Sequence, residues 1–253
     1  MHKVPQLFAN NLLKFRSDHK AFVSLKDILF TILQERLNFF SRKFQVQACH
    51  SLTECHLDNN PIKIDLESLP FTHQSLDLAL SAGPLMFTND VPGVLKQWYA
   101  AIKPGGIFMA SFFGEDTLSE LKNCILNVEE SLKIPHALRF FPTIATKDAG
   151  MLMQRAGFHL PTSDRTRYVF EVKNLRELLS ILKAMAGNIL YEKSKAQLSK
   201  DFFKRVEEEY YVRYPLNAGL KVTTDIVCMT GWAIERYAEE RIQQNTKKSI
   251  GYL

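Results

Sequence analysis

Two thiols and two imidazoles fall within eight residues in CHSLTECH, as Cys49, His50, Cys55 and His56. Thiolate and neutral imidazole are zinc ligands, but a structural zinc site pairs its ligands two to four residues apart, twice, on tight turns. Here the second pair is missing and five residues separate the cysteines, so these are read as ordinary loop and half-buried positions and no metal is expected. His136 and Arg139, in PHALRF, are cationic groups on a loop. They suit the positioning of an acceptor carboxylate or protein side chain, and equally the bridging of a surface loop. Asp65 ends PIKID, Asp77 lies near the start of SLDLALSA and Ser81 near its end. Acids and hydroxyls at strand ends can bind a ligand or simply terminate the strand, and Asp77 is read as structural.

These groups must be held by regular elements. Ser24-Leu-Lys-Asp27 has the form of a capping box opening a helix, with Leu25, Ile28, Leu29, Ile32, Leu33, Leu37 and Phe40 on one apolar face. FQVQA (44–48) and PIKIDL (61–66) alternate as short strands. SLDLALSA (75–82) and IFMASFF (107–113) are more continuously apolar, as strands covered on both faces are. Between the last two, Asp90 and Pro92 open a helix that stops at Lys103-Pro104-Gly105-Gly106. Thr117 with Glu120 predicts a capped helix, and another over 146–156 ends at Gly157. RTRYVFEV (165–172) reads as a strand, two helices follow on Leu175–Met185 and Phe202–Tyr210, and LKVTTDIVCMTGW (220–232) reads as the last strand.

Alternating strands and helices imply parallel strands with crossover helices on both faces, a doubly wound α/β sheet. Ligands of such sheets bind beyond the carboxyl ends of the strands. That directs attention to three loops: Asp65–Pro70, Ser81–Asp90 and Phe113–Thr117. A single domain over 1–253 is expected, with a helical segment at 1–43, a core sheet over 44–113, a helical substrate-side region at 114–160, and C-terminal strands and helices at 161–253.

The charge of +5 is spread among acids, without the concentrated basic stripe and stacking aromatics of a nucleic-acid surface, so no nucleic acid is expected as partner. No apolar run is long enough for a transmembrane segment. No secretory leader is read at the start, and four cysteines without a framework spacing suggest reduced thiols, hence a cytoplasmic or matrix-like compartment.

LPFTHQSLDLALSAGPLMFTNDVPGVLKQWYAAIKPGGIFMASFFGEDTLSEL, residues 69–121, resembles the type 11 class I methyltransferases that use S-adenosylmethionine. It is most similar to the branch with the mitochondrial complex I assembly-factor methyltransferase, with the malonyl-carrier-protein methyltransferase of biotin synthesis a close cousin. The pattern carrying the resemblance is L-P-F, D-L-A-L with a following Ser, N-D-V-P, I-K-P-G-G and G-E-D-T-L-S-E-L, in order. Residues 135–158 and 222–232 extend it. The resemblance implies a Rossmann-like methyltransferase fold, transfer of a methyl group to a protein or carrier-bound acceptor, and a link to respiratory complex I assembly. It implies a mitochondrial matrix location if the chain is eukaryotic. Asp65 would accept a hydrogen bond from the adenine amino group, the Leu66 backbone N–H would meet a ring nitrogen, and Ser81 would lie near the methionine end.

The chain departs from the family ahead of L-P-F. There the family carries a D-x-G-x-G-x-G loop, a helix, a strand and a ribose-binding acid. This chain has no glycine before Gly83 and reads Gln47-Ala48-Cys49-His50-Ser51-Leu52-Thr53 at the loop position. The sheet is therefore expected to be truncated in its N-terminal half by about one βα unit. Met86 and Phe87 stand where the family has a polar residue and Trp, and are read as core or lid. A degenerate cofactor loop offers a second function, that of a catalytically silent assembly or scaffold factor, and leaves room for a partner subunit that completes the site.

Overall fold

The computed structural model describes residues 20–51, 65, 67–135, 140, 142–184 and 198–234. Its centre is β3 (Ile102–Phe113), which is hydrogen-bonded along both edges. On one side β2 (Leu76–Ala82) pairs with it in parallel, and β1 (Gln47–Ser51) pairs in parallel with β2. On the other side β6 (Gly219–Trp232) runs antiparallel, and β4 (His159–Val172) pairs antiparallel with β6. The order is β1-β2-β3-β6-β4, with the two-residue β5 (Pro215–Leu216) attached to β6. This is the expected Rossmann-like sheet, and among the described residues β1 is its edge strand on the N-terminal side. The first strand is set by Gln47–Ser51 rather than by 44–48, and the proposed strand 61–66 lies outside the described residues apart from Asp65.

Successive side chains of a strand point to opposite faces, so Phe108 and Ser111 mark the two sides of β3. On the Ser111 face lies α1 (Lys20–Leu37), whose Leu29 carbonyl accepts the Ser111 hydroxyl at 2.8 Å. Helix α1 begins four residues before Ser24, so the sequence signal at Ser24–Asp27 lies within the helix and marks no start. Its Arg36 forks onto Asp164 of β4, with Nη1 2.6 Å from Oδ2. On the Phe108 face lies α2 (Val91–Ala101), with Asp90 as its cap. Trp98 of α2 is fully buried between Phe71 and Phe108, at ring separations of 5.3 and 5.7 Å. Helix α4 (Thr146–Ala156) ends at Gly157, φ 106°, as its sequence predicts.

β4 and β6 outrun β3. Pairing of β3 with β6 stops at Phe113–Ile226, whereas β4 and β6 remain paired to Val172–Leu220. This two-stranded extension carries a second core, formed with α3 (Ser119–Ser131), α5 (Leu175–Ala184) and α6 (Lys200–Arg213). A polar seam separates the cores. Thr117 Oγ1 donates to the Asp225 carbonyl (2.9 Å) and accepts the Asp225 N–H (3.0 Å), while Glu120 accepts both the N–H and the hydroxyl of Thr223. The capping box predicted from Thr117 and Glu120 is therefore not formed. Helix α3 starts at Ser119 behind a left-handed Leu118, φ 60°, with no side-chain cap. The strand β6 passes close enough to take both side chains.

Two further expectations change. The Lys103-Pro104-Gly105-Gly106 stop is absorbed into β3, which begins at Ile102. Cys49 is disulfide-bonded, whereas Cys124 and Cys228 are free and buried, so the expectation of reduced thiols fails at Cys49.

The Asp225 side chain is fully buried within the seam, and neither carboxylate oxygen has a hydrogen-bond partner among the described residues. Burial raises its pKa, opposed by Arg165, whose Nη1 is 3.9 Å away. An acid with a raised folded pKa holds its proton longer when folded than when unfolded. Stability should therefore fall as pH rises past the unfolded value near 3.8. Asp225→Asn should lose that dependence, so urea midpoints of variant and parent should diverge as pH rises from 4 to 7, and parallel curves would contradict it. Separately, a Cβ at Gly106 would meet the Lys103 and Asp77 carbonyls at 2.9 and 3.0 Å. Gly106→Ala should cost about 1–3 kcal/mol in urea unfolding.

Candidate functional site

The carboxyl ends of the parallel strands lie at Ser51, Ala82 and Phe113, and the loops after them converge on that edge of the sheet. The loop after β2 is rigid. Gly83, at φ 95°, donates its N–H to Ser111 O at 2.8 Å, and Pro84–Phe87 form a buried single turn. Met86 and Phe87 belong to the core, as read from the sequence. The turn closes when Thr88 Oγ1 donates to Pro84 O at 3.1 Å. Asp90 then caps α2 by accepting the Gly93 N–H at 2.9 Å. A Cβ at Gly93 would sit 2.2 Å from that carboxylate, so glycine is required there.

Asp65 stands on the neighbouring loop. Its Oδ1 accepts the N–H groups of Glu67 (2.8 Å) and Ser68 (3.2 Å), the hydrogen bonds of an Asx turn. The side chain is exposed, and Oδ2 accepts no hydrogen bond among the described residues. Two residues on, Glu67 uses both oxygens. Oε1 accepts from Asn89 N (2.6 Å) and Asn89 Nδ2 (3.1 Å), and Oε2 from Asp90 N (3.2 Å). Gln97 of α2 donates Nε2 to Glu67 O and accepts Leu69 N at its Oε1, both at 2.9 Å. Sequence reasoning passed over Glu67, Asn89 and Gln97. The available signal was a glutamate and a glutamine flanking two loops already marked as ligand-facing.

Ser81 is fully buried, and its hydroxyl has no partner among the described residues. It pairs across the sheet with His50 and Ala110. His50 is also buried, its ring 6.3 Å from that of Trp98. Asp77 holds the far end of β2: its Oδ2 accepts the Val46 N–H at 3.0 Å and Lys103 Nζ lies 3.1 Å from Oδ1. Burial works against its ionisation, but the Val46 and Lys103 hydrogen bonds carry its pKa below the usual value. Asp77 is structural, as expected. Leu66, His136 and Arg139 lie outside the described residues, as do Cys55 and His56. Of the predicted site residues, Asp65 and Ser81 can be placed, one exposed on the carboxyl-edge loop and the other inside the sheet.

The third loop, Gly114–Leu118, is bonded to β6. Gly114 N donates to Asp225 O (2.7 Å) and Leu118 N to Thr223 O (2.8 Å). Above it Asp116 bridges two arginines of β4: Arg165 Nη1 is 2.8 Å from its Oδ2, and Arg167 pairs with the same oxygen. Behind β1 only residues 52–64 separate Ser51 from Asp65. That is too few for a crossover helix followed by another strand and its own return.

Residues 39–110, from just before β1 to the middle of β3, match the family described as methyltransferase domain. "Arginine-hydroxylase NDUFAF5, mitochondrial" of Homo sapiens is 31% identical over 199 residues, covering 77% of this chain and 56% of the relative. The protein of the same name in Dictyostelium discoideum is 31% identical over 195 residues, covering 74% and 45%. The malonyl-[acyl-carrier protein] O-methyltransferase of Gallionella capsiferriformans is 28% identical over 173 residues, covering 68% and 57%. The chain thus spans about half the length of these curated relatives. A Bacillus halodurans structure, provisionally described as a methyltransferase, superposes over 80% of this chain and 99% of its own, with a TM-score of 0.50 at 11% identity. That likeness concerns the fold, and no helix among the described residues is long and apolar enough to cross a membrane. The sheet order, the loops at its carboxyl edge and these relatives together place the chain in the type 11 methyltransferase family.

Proposed function

We propose that the chain binds S-adenosylmethionine at the carboxyl edge of β1 and β2 and transfers its methyl group to a protein or carrier-bound acceptor. The observation that carries this reading is Asp65: an exposed carboxylate, fixed in its own turn by Oδ1 and with Oδ2 unbonded among the described residues, on the loop where the resemblance puts the family's adenine-binding acid. The adenine side fits the cofactor. The opposite side fits less well, because no glycine follows β1 to bring the backbone close. The bound cofactor would supply an electrophilic methyl on a sulfonium, and the chain's part would be to orient donor and acceptor. The relatives' names support an acceptor presented by a larger molecule in at least one case, a malonyl group on a carrier protein. The assembly-factor resemblance extends this to a subunit of respiratory complex I, met in the mitochondrial matrix, or to a cytoplasmic acceptor in a bacterium. His136 and Arg139 are the candidates for holding an acceptor carboxylate.

One observation favours a second reading, a non-catalytic assembly or scaffold factor. No glycine precedes Gly83 and no ribose acid can be carried over from the family pattern, and each lost hydrogen-bonding group removes about 1–3 kcal/mol of cofactor affinity. The names of the relatives, a hydroxylase and a methyltransferase, also show that membership does not dictate the reaction. A partner subunit that supplies the missing side of the site would reconcile the two readings.

Calorimetric titration with S-adenosylmethionine separates them. Binding is expected, weakened roughly tenfold to a hundredfold by Asp65→Ala, as for loss of one charge-assisted hydrogen bond. Absence of binding heat at millimolar ligand would overturn methyl transfer by the chain alone.

A further inference from the structure

We infer that Glu67 and Gln97 are positioning residues that hold the adenine-side turn against α2; the inference rests on the cofactor reading above. In a complete sheet, a loop between strands is located by the strands on either side of it. Residues 52–64, which lead into the turn, lie outside the described residues. Among the described residues, the turn bearing Asp65 is located instead by side chains.

Gln97 does what a neighbouring strand would do. Its single amide group donates to Glu67 O and accepts from Leu69 N, so it satisfies the backbone on both sides of Ser68 in the donor-and-acceptor pattern of a ladder. Glu67 then ties the same turn to the loop after β2, through the N–H groups of Asn89 and Asp90. The carboxylate also lies at the amino end of α2, where the aligned peptide dipoles favour negative charge. Phe71, ring to ring with Trp98 at 5.3 Å, closes the segment on its far side.

Helix α2 does not need this contact in order to form. Asp90 caps it through Gly93 N, Pro92 stands in its first turn, and Trp98, Leu95 and Val94 bury its inner face. Asn89 N and Asp90 N both precede the helix. Loss of Glu67 or Gln97 should therefore release the turn carrying Asp65 and leave the sheet and α2 in place. The two flanking loops would lose their mutual spacing, and the acid would no longer be held at one distance from the edge of β2.

The test uses the full chain and the variants Glu67→Ala and Gln97→Ala, each read in two ways. Amide hydrogen exchange on the free protein reports the clamp without any ligand. Asn89 and Asp90 N–H should exchange at least tenfold faster in Glu67→Ala, Leu69 N–H likewise in Gln97→Ala, and the amides of Ile107–Phe113 should be unchanged in both. Calorimetry with S-adenosylmethionine and, separately, adenosine then reports positioning: both variants should lose about tenfold or more for either ligand. Glu67→Gln, which keeps one acceptor oxygen, should recover part of that loss. Unprotected amides in the parent protein would show that there is no clamp. Freed amides with unchanged affinity for both ligands would overturn the positioning role while leaving the cofactor reading standing. Protected amides in a parent protein that binds neither ligand would overturn the cofactor reading, and the positioning role with it.

Discussion

Hydrogen bonding on both edges of β3 is the constraint from which the rest of the molecule follows. With α1 on one face and α2 on the other, this doubly paired strand buries both faces, and Ile107–Phe113 are accordingly apolar or small throughout. Its parallel edge brings β2 and β1 into register, so that Ser51 and Ala82, the ends of β1 and β2, lie level with Ser111 near the end of β3. Its antiparallel edge fixes β6, and through β6 both β4 and the second core. The loops that could bind a ligand are close together because these ends are level, and they would part if either ladder slipped by a residue.

Much of this was legible in the sequence where a single local cause decides the outcome. The apolar runs of β2 and β3 announce central strands, Asp90 with Pro92 opens a helix, and Gly157 supplies the left-handed residue that ends another. Legibility failed where a distant partner competed. Thr117 and Glu120 have the spacing of a capping box, yet Thr223 and Asp225 lie within reach, and a pairing more than a hundred residues away leaves no local trace. The Lys103–Gly106 stop was read correctly as the end of a helix, but Ile102 pairs with Leu76 of β2, so the strand starts as soon as the helix ends. In the candidate site, Asp65 could be found by resemblance, whereas the partners of Glu67 and Gln97 follow only from the way α2 lies beside the loop.

Family and fold therefore stand on firmer ground than chemistry, for a physical reason. The sheet is specified by several strands, each with its own apolar pattern, and no single one of them decides it. A cofactor pocket is specified by a few groups at fixed distances, and here the one candidate carboxylate that can be placed, Asp65, is held by an Asx turn of its own. The side-chain bonds of Glu67 and Gln97 show how a loop can be held against a helix without a strand ladder of its own among the described residues.

The polar seam has a mechanical consequence. Hinges form where a residue can change its backbone angles without breaking a ladder. Between the two cores β6 offers no such residue: Thr223 to Ile226 are all paired with β4, and Asp225 and Thr223 are bonded on their other side to Gly114 and Leu118. Ile226–Met229 belong to one core, and Leu220 and Val222 to the other. The two hydrophobic units thus share one continuously paired stretch of strand, and among the described residues that stretch of β6 supplies no axis about which they could swing.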